Sequence, residues 1–73
     1  MYTTSQAIDL LLKSKMGLTL KMLSNENIHI FKDIDGRICR GEYGDGLIVE
    51  LEYGLYASEL WKVDSEGSCY TSR

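Results

Sequence analysis

Two residue pairs in this chain are of the types that reactions use. His29 and Cys39 lie one hairpin apart across Asp35-Gly36, a base and a nucleophile. Nucleophilic catalysis needs those two within hydrogen-bond reach and a third group to orient the base. In a run of alternating strands the pairing arises as easily by chance, and a cross-strand or solvent-facing histidine is the plainer reading. Glu50 and Glu52 are spaced to share one strand face, about 7 Å apart. That separation permits paired acid and base work, yet no apolar pocket is supplied to raise one pKa.

Metal and phosphate chemistry fare no better. Asp33, Asp35, Gly36, Ile38 and Glu42 occupy the third, fifth, sixth, eighth and twelfth places of a calcium loop, but the first ligand is Phe31, which cannot coordinate, and the flanks read as strands. The single histidine and the absence of CxxC leave too few ligands for zinc. Gly41-Glu42-Tyr43-Gly44-Asp45-Gly46 is glycine-rich but out of GxGxxG order, with acids where a phosphate would sit. Turn chemistry explains both segments. No catalytic residue, metal ligand or cofactor is expected.

The elements that would position these residues form a small α+β domain, an N-terminal helix packed on an antiparallel meander of four to five strands. Thr3 and Gln6 have the spacing of a capping box, and Ala7, Ile8, Leu11 and Leu12 form the apolar face behind it. Lys13 and Lys15 suit the last turn, and Gly17 suits a left-handed terminator. Leu18–Leu23 reads as a strand with Leu18, Leu20 and Met22 on one side, broken by Ser24-Asn25-Glu26-Asn27. Ile28–Ile30 is extended, and Asp35-Gly36 turns it into Arg37–Tyr43. After the reversal at Gly44-Asp45-Gly46, Leu47, Val49, Leu51 and Tyr53 alternate with Ile48, Glu50 and Glu52, a strand with one buried face. A helical turn over Tyr56–Glu59 leads to a last strand, Leu60–Val63, with Trp61 and Val63 facing the core and Tyr53 joining them. Residues 1–63 form the domain; residues 64–73 read as a polar tail.

With 73 residues the chain supports one core. A domain this small has a thin stability margin, and a homo-oligomer is the cheapest way to widen it. Cys39 and Cys69 are expected as free thiols of a reduced cytosol, no signal peptide or membrane span is expected, and the localisation expected is cytoplasmic. The net charge of −3 is uneven, with residues 1–40 at +2 and residues 41–73 at −5. An acidic half disfavours direct nucleic-acid binding, which rests on clustered Lys and Arg. It leaves basic protein partners, or a small anion held by the basic half. Tyrosines and acids share the acidic half, so Tyr43, Glu50, Glu52, Tyr56 and Glu59 are candidate partner contacts, since aromatic side chains are enriched in binding hot spots.

The order of elements carries a resemblance. A helix over Ala7-Ile8-Asp9-Leu10-Leu11-Leu12, an immediate strand, a meander with an Asp-Gly turn and a closing Ser58-Glu59-Leu60-Trp61-Lys62-Val63 together resemble the small phage and prophage proteins that include the Thoeris anti-defence sponges, some of which have been labelled anti-CRISPR proteins. The similarity covers roughly residues 5–63. Where that family tends to carry a basic residue and tryptophan after the helix, this chain has Leu20-Lys21-Met22-Leu23, keeping Lys21 alone. The resemblance implies a small phage-encoded inhibitor of a bacterial defence system, acting in the cytoplasm of an infected or lysogenic host. Its partner would be a defence-system or other host protein, such as a nucleic-acid-binding effector, held stoichiometrically through the acidic, tyrosine-bearing surface. An oligomeric sponge sequestering a cyclic nucleotide signal, with Lys21, Arg37 and Arg40 on its phosphates, is the alternative. A structural or regulatory accessory protein without a ligand is the third.

Overall fold

The first turn of the chain is held by its own side chains. In a computed structural model, which describes residues 1–15, 17–44 and 46–65, Gln6 donates its amide to Thr3 Oγ1 at 3.2 Å and Thr3 donates its amide to Gln6 Oε1 at 3.0 Å. That is the capping box expected from the spacing, and it starts helix α1 at Thr4. Thr4, Ala7 and Leu11 are its buried residues, with Ile8 and Leu10 half-buried. Leu12, expected on the apolar face, is exposed. The stripe runs one position earlier and has a threonine in it.

Helix α1 spans Thr4–Lys13 and stops short of Gly17. Ser14 turns extended, its hydroxyl donates back to the Leu10 carbonyl at 2.6 Å, and Lys32 from the sheet donates its ammonium to the carbonyls of Leu12 and Ser14. With the Ser14 amide on the Leu11 carbonyl, these donors meet the carbonyls of Leu10, Leu11 and Leu12 that the helix end leaves open. Lys15 therefore lies outside the helix, and Gly17, at φ +104°, serves the link to the sheet rather than the cap.

Among the described residues six strands follow the order β1-β6-β2-β3-β4-β5, every neighbouring pair antiparallel. They are β1 (Tyr2–Thr3), β2 (Thr19–Met22), β3 (Ile28–Lys32), β4 (Ile38–Glu42), β5 (Ile48–Glu50) and β6 (Leu60–Ser65), with the short helix α2 (Tyr53–Tyr56) between the last two. The count exceeds the four to five expected because Tyr2–Thr3 adds an edge. The protein is an α+β fold with its N-terminal helix packed on an antiparallel sheet. Strands β2 to β5 form the expected meander, but β6 does not continue it. The chain crosses back through α2 and inserts β6 between β1 and β2.

Asp33 closes the β3–β4 hairpin by accepting the amides of Asp35 and Arg37 on Oδ1, each at 2.9 Å, with Gly36 at φ +85°. The reversal at 44–46 is present in the positive φ of Gly44 and Gly46, and Asp45 lies outside the described residues.

The core lies between α1 and one face of the sheet: Ala7, Leu11, Leu20, Met22, Ile30 and Trp61. Helix α1 begins above Trp61, where Thr4 meets the indole, and ends beside Lys32 of β3. Val63 faces the core side as expected, opposite Leu20, but this diagonal leaves it to one side and 38% exposed. The diagonal also falls short of β5. The strand expected over Leu47–Tyr53 is three residues long with no buried side, Leu51 alone packs against the core, and Tyr53 is half exposed and starts α2. The helical turn accordingly sits at Tyr53–Tyr56 instead of Tyr56–Glu59. Asp64 and Ser65 belong to β6 rather than to a tail; the rest of the expected tail lies outside the described residues.

Candidate functional site

Strand alternation presents a second face, opposite α1. The registers line up two rows across it: Lys62, Lys21, His29, Gly41 and Ile48 in one, Thr19, Phe31, Cys39 and Glu50 in the other. Residues paired across antiparallel strands share a face, so these side chains stand together. Both helices lie on the other side, against the core.

His29 organises this face. Its ring stacks on Tyr43 at a centroid distance of 4.1 Å and on Phe31 at 5.8 Å. It can lie flat because its cross-strand neighbour is Gly41: a Cβ there would stand 2.9 Å from His29 Nε2. Nδ1 of the same ring is buried and, among the described residues, has no hydrogen-bond partner. Beside the ring a cavity of about 430 Å³ is lined by Leu18, Thr19, His29, Phe31, Ile34 and Ile48. A smaller one of about 190 Å³ lies between His29, Tyr43, Leu47 and Ile48.

Charged groups edge the aromatic surface. The Tyr43 hydroxyl donates to Asp64 at 2.7 Å, Lys21 lies 3.8 Å from Asp64 and 3.7 Å from Glu26, and Lys62 lies 3.2 Å from Glu26. The hydrogen bond from Lys62 and the charge of Lys21 hold the Glu26 carboxyl below its ordinary range.

The expected residue sets are dispersed by this architecture. Tyr43 and Glu50 face the open side, and Glu52 is the N-cap of α2 with no side-chain capping bond. Tyr56 lies on the helix side, edge-on to Trp61 at 6.3 Å, and Glu59 accepts from the Ser24 hydroxyl at 2.8 Å. They do not make one acidic patch. Lys21 is on the open face, Arg40 lies over the Tyr56 ring at 5.9 Å, and Arg37 is exposed in the β3–β4 hairpin. The three cations do not converge within one copy.

The groups weighed for chemistry are likewise engaged elsewhere. Cys39 pairs with Phe31, not His29, and its thiol donates to Asp33 at 3.6 Å. Burial, then the Asp33 hydrogen bond and charge, pushes that thiol above its ordinary pKa, so it stays protonated at neutral pH. Asp33 has its Oδ1 committed to the hairpin amides, which with the Cys39 thiol lower its pKa against the opposing effect of burial. Glu50 and Glu52 do not share a strand face, because β5 ends at Glu50. Among the described residues no three His, Cys, Asp or Glu side chains cluster as metal ligands, and no helix is long and apolar enough to cross a membrane.

Sequence reasoning passed over Phe31, Ile34, Leu18 and Ile48 as site residues. The available signal was the His29-x-Phe31 spacing, which puts two rings on one strand face, with Gly41 placed across the hairpin to admit one of them. No protein-family model matches the chain, and neither a curated protein nor a solved structure matches it.

Proposed function

We propose that the chain is a non-catalytic binding module that engages a protein partner with the open face of its sheet, an apolar or aromatic side chain of the partner entering the cavity beside Phe31. The observation that carries this reading is that cavity, walled by Leu18, Phe31, Ile34 and Ile48 on a face that neither helix covers. Small-molecule sites enclose most of their ligand, whereas Ile34 and Ile48 are 89% and 58% exposed here. A shallow apolar depression with charged residues beside it suits a protruding side chain better, as in the anchor pockets of protein interfaces.

The partner surface is thus narrower than the acidic half of the sequence: Tyr43 and Glu50 remain in it, while Tyr56, Glu52 and Glu59 fall outside. Lys21, Arg37 and Arg40 are dispersed within one copy, so an oligomeric nucleotide sponge would have to assemble its cations between subunits, whereas the apolar cavity lies within a single copy. The setting, inhibition of a bacterial defence effector in the host cytoplasm, is supported by the resemblance alone.

Co-purification from bacterial lysate tests the reading. A partner captured by the wild-type chain is expected to be lost with Phe31→Asp while the far-ultraviolet circular dichroism is unchanged. Equal capture by the folded variant, or release of a bound nucleotide with no protein partner, would overturn it.

A further inference from the structure

The sheet has two edges, and they are not alike. Strand β1 is two residues long and runs straight into α1. Strand β5 is the other edge, and its peptide groups can be assigned from the register. Leu51 donates its amide to the Ile38 carbonyl at 2.9 Å, and Val49 stands opposite Arg40, two positions along each strand. In an antiparallel ladder hydrogen-bonded pairs alternate with non-bonded ones. The peptides of Leu51 and Val49 therefore face β4, and those of Ile48 and Glu50 face away from it, toward the open edge.

Such an edge is a template for another strand, and proteins guard it with a short strand, charged side chains, proline or a bulge; the guards that β5 carries are its length of three residues and the carboxylate of Glu50. Leu47-Ile48-Val49-Glu50-Leu51 has no lysine and no proline. Apolar side chains are exposed on both of its faces: Leu47 and Ile48 line the cavities of the open face, and Val49 shares the opposite face with Arg40. We infer that β5 is the seam of a symmetric homodimer, in which two copies pair β5 antiparallel and join their sheets edge to edge.

Charge and strand length together select the register: an axis at Ile48 would need Gly46, outside β5 and at φ +77°, as the partner of Glu50. A two-fold axis at Glu50 would set that carboxylate against its own copy, and like charges directly opposite are unfavourable. An axis at Val49 sets Ile48 opposite Glu50 of the second copy and Glu52 opposite Gly46. The outward peptides of Ile48 and Glu50 then exchange four hydrogen bonds, and the two Val49 side chains meet in the close, non-bonded pair. Ile48 also walls the cavity, so Glu50 of the second copy would stand at its margin. The dimer would present two cavities on one continuous face.

Sedimentation equilibrium of the full chain, with amide hydrogen exchange across the same concentrations, tests the seam. The wild type is expected to sediment at twice the chain mass, with the Ile48 and Glu50 amides gaining protection as concentration rises. Val49→Glu places a carboxylate beside Arg40 within a copy and against its own image across the axis. It is expected to weaken association more than about tenfold while circular dichroism stays that of the wild type; Val49→Thr is expected to dimerise. A wild-type monomer whose Ile48 and Glu50 amides exchange freely at every concentration, or a dimer indifferent to Val49→Glu, would overturn the inference. Phe31 lies on β3, outside the seam, so loss of partner capture with Phe31→Asp and loss of the dimer with Val49→Glu are read separately.

Discussion

Trp61 Nε1 donates a hydrogen bond to Thr4 Oγ1 at 2.7 Å, and the Thr4 hydroxyl donates onward to the carbonyl of Tyr56. Both residues are fully buried. This relay ties the first residue of α1, the end of α2 and strand β6 at one point, so it couples segments more than fifty residues apart. Thr4→Val keeps the shape and deletes the acceptor. An unsatisfied buried donor costs about 1–3 kcal/mol, and urea denaturation followed by the fluorescence of this lone tryptophan is expected to show a loss of that size. An unchanged midpoint would mean that the relay contributes nothing to stability.

Asp33 holds the β3–β4 hairpin in its ionised form. Its folded pKa lies below the ordinary 3.8 because the Arg37 and Asp35 amides favour the carboxylate. A carboxyl with a depressed folded pKa contributes stability that is fully present above its unfolded pKa and is lost as pH falls through the folded one. Acid titration of the wild type is thus expected to show a stability loss below the ordinary carboxylate range that Asp33→Asn, which retains an amide acceptor, shows to a smaller extent. Parallel acid profiles for the two proteins would remove Asp33 from the account.

What could be read from the residues follows from the range of the forces involved. Local geometry was readable: the Thr3–Gln6 capping box, the Asp35-Gly36 turn and the alternation of β2 to β4 depend on near neighbours only. The helix end was not, because the donor that relieves its carbonyls is Lys32, from a strand that alternation alone does not aim at it. The missed exposure of Tyr53 and Val63 has one cause, a ten-residue helix too short to cover six strands. The return of β6 between β1 and β2 is likewise a global choice, one that brings Trp61 to Thr4 from more than fifty residues away. For the candidate site, His29 was visible as a residue but not as a platform, since its role appears only once Gly41 is placed across from it.

Lys32 joins the end of α1 to the sheet through the carbonyls of Leu12 and Ser14. Lys32→Met keeps the aliphatic stem and removes the donors. The expected loss is about 1 kcal/mol, at the low end for a charged donor because the site is partly exposed. Hydrogen exchange is expected to localise it: the amides of the last turn of α1 should exchange faster while those of the capping box do not. Uniform acceleration along α1 would show instead that the bond supports global stability.

Gly41 and His29 give the sharpest test of the open face. Replacing a strand glycine by alanine ordinarily gains about 0.5–1 kcal/mol through the unfolded chain. Here the new Cβ would stand 2.9 Å from His29 Nε2 and 3.0 Å from Cε1, closer than packed atoms tolerate. The ring must lift, and it loses its stacking on Tyr43 and Phe31. Gly41→Ala is therefore expected to destabilise by about 1–3 kcal/mol, the range of overpacking in a filled site. In a His29→Ala background nothing remains to be displaced, and the same substitution is expected to be neutral or stabilising, a coupling of at least about 1 kcal/mol in the double-mutant cycle. Additive effects in that cycle would show that the glycine serves the backbone and not the ring, and the aromatic platform would lose its structural basis.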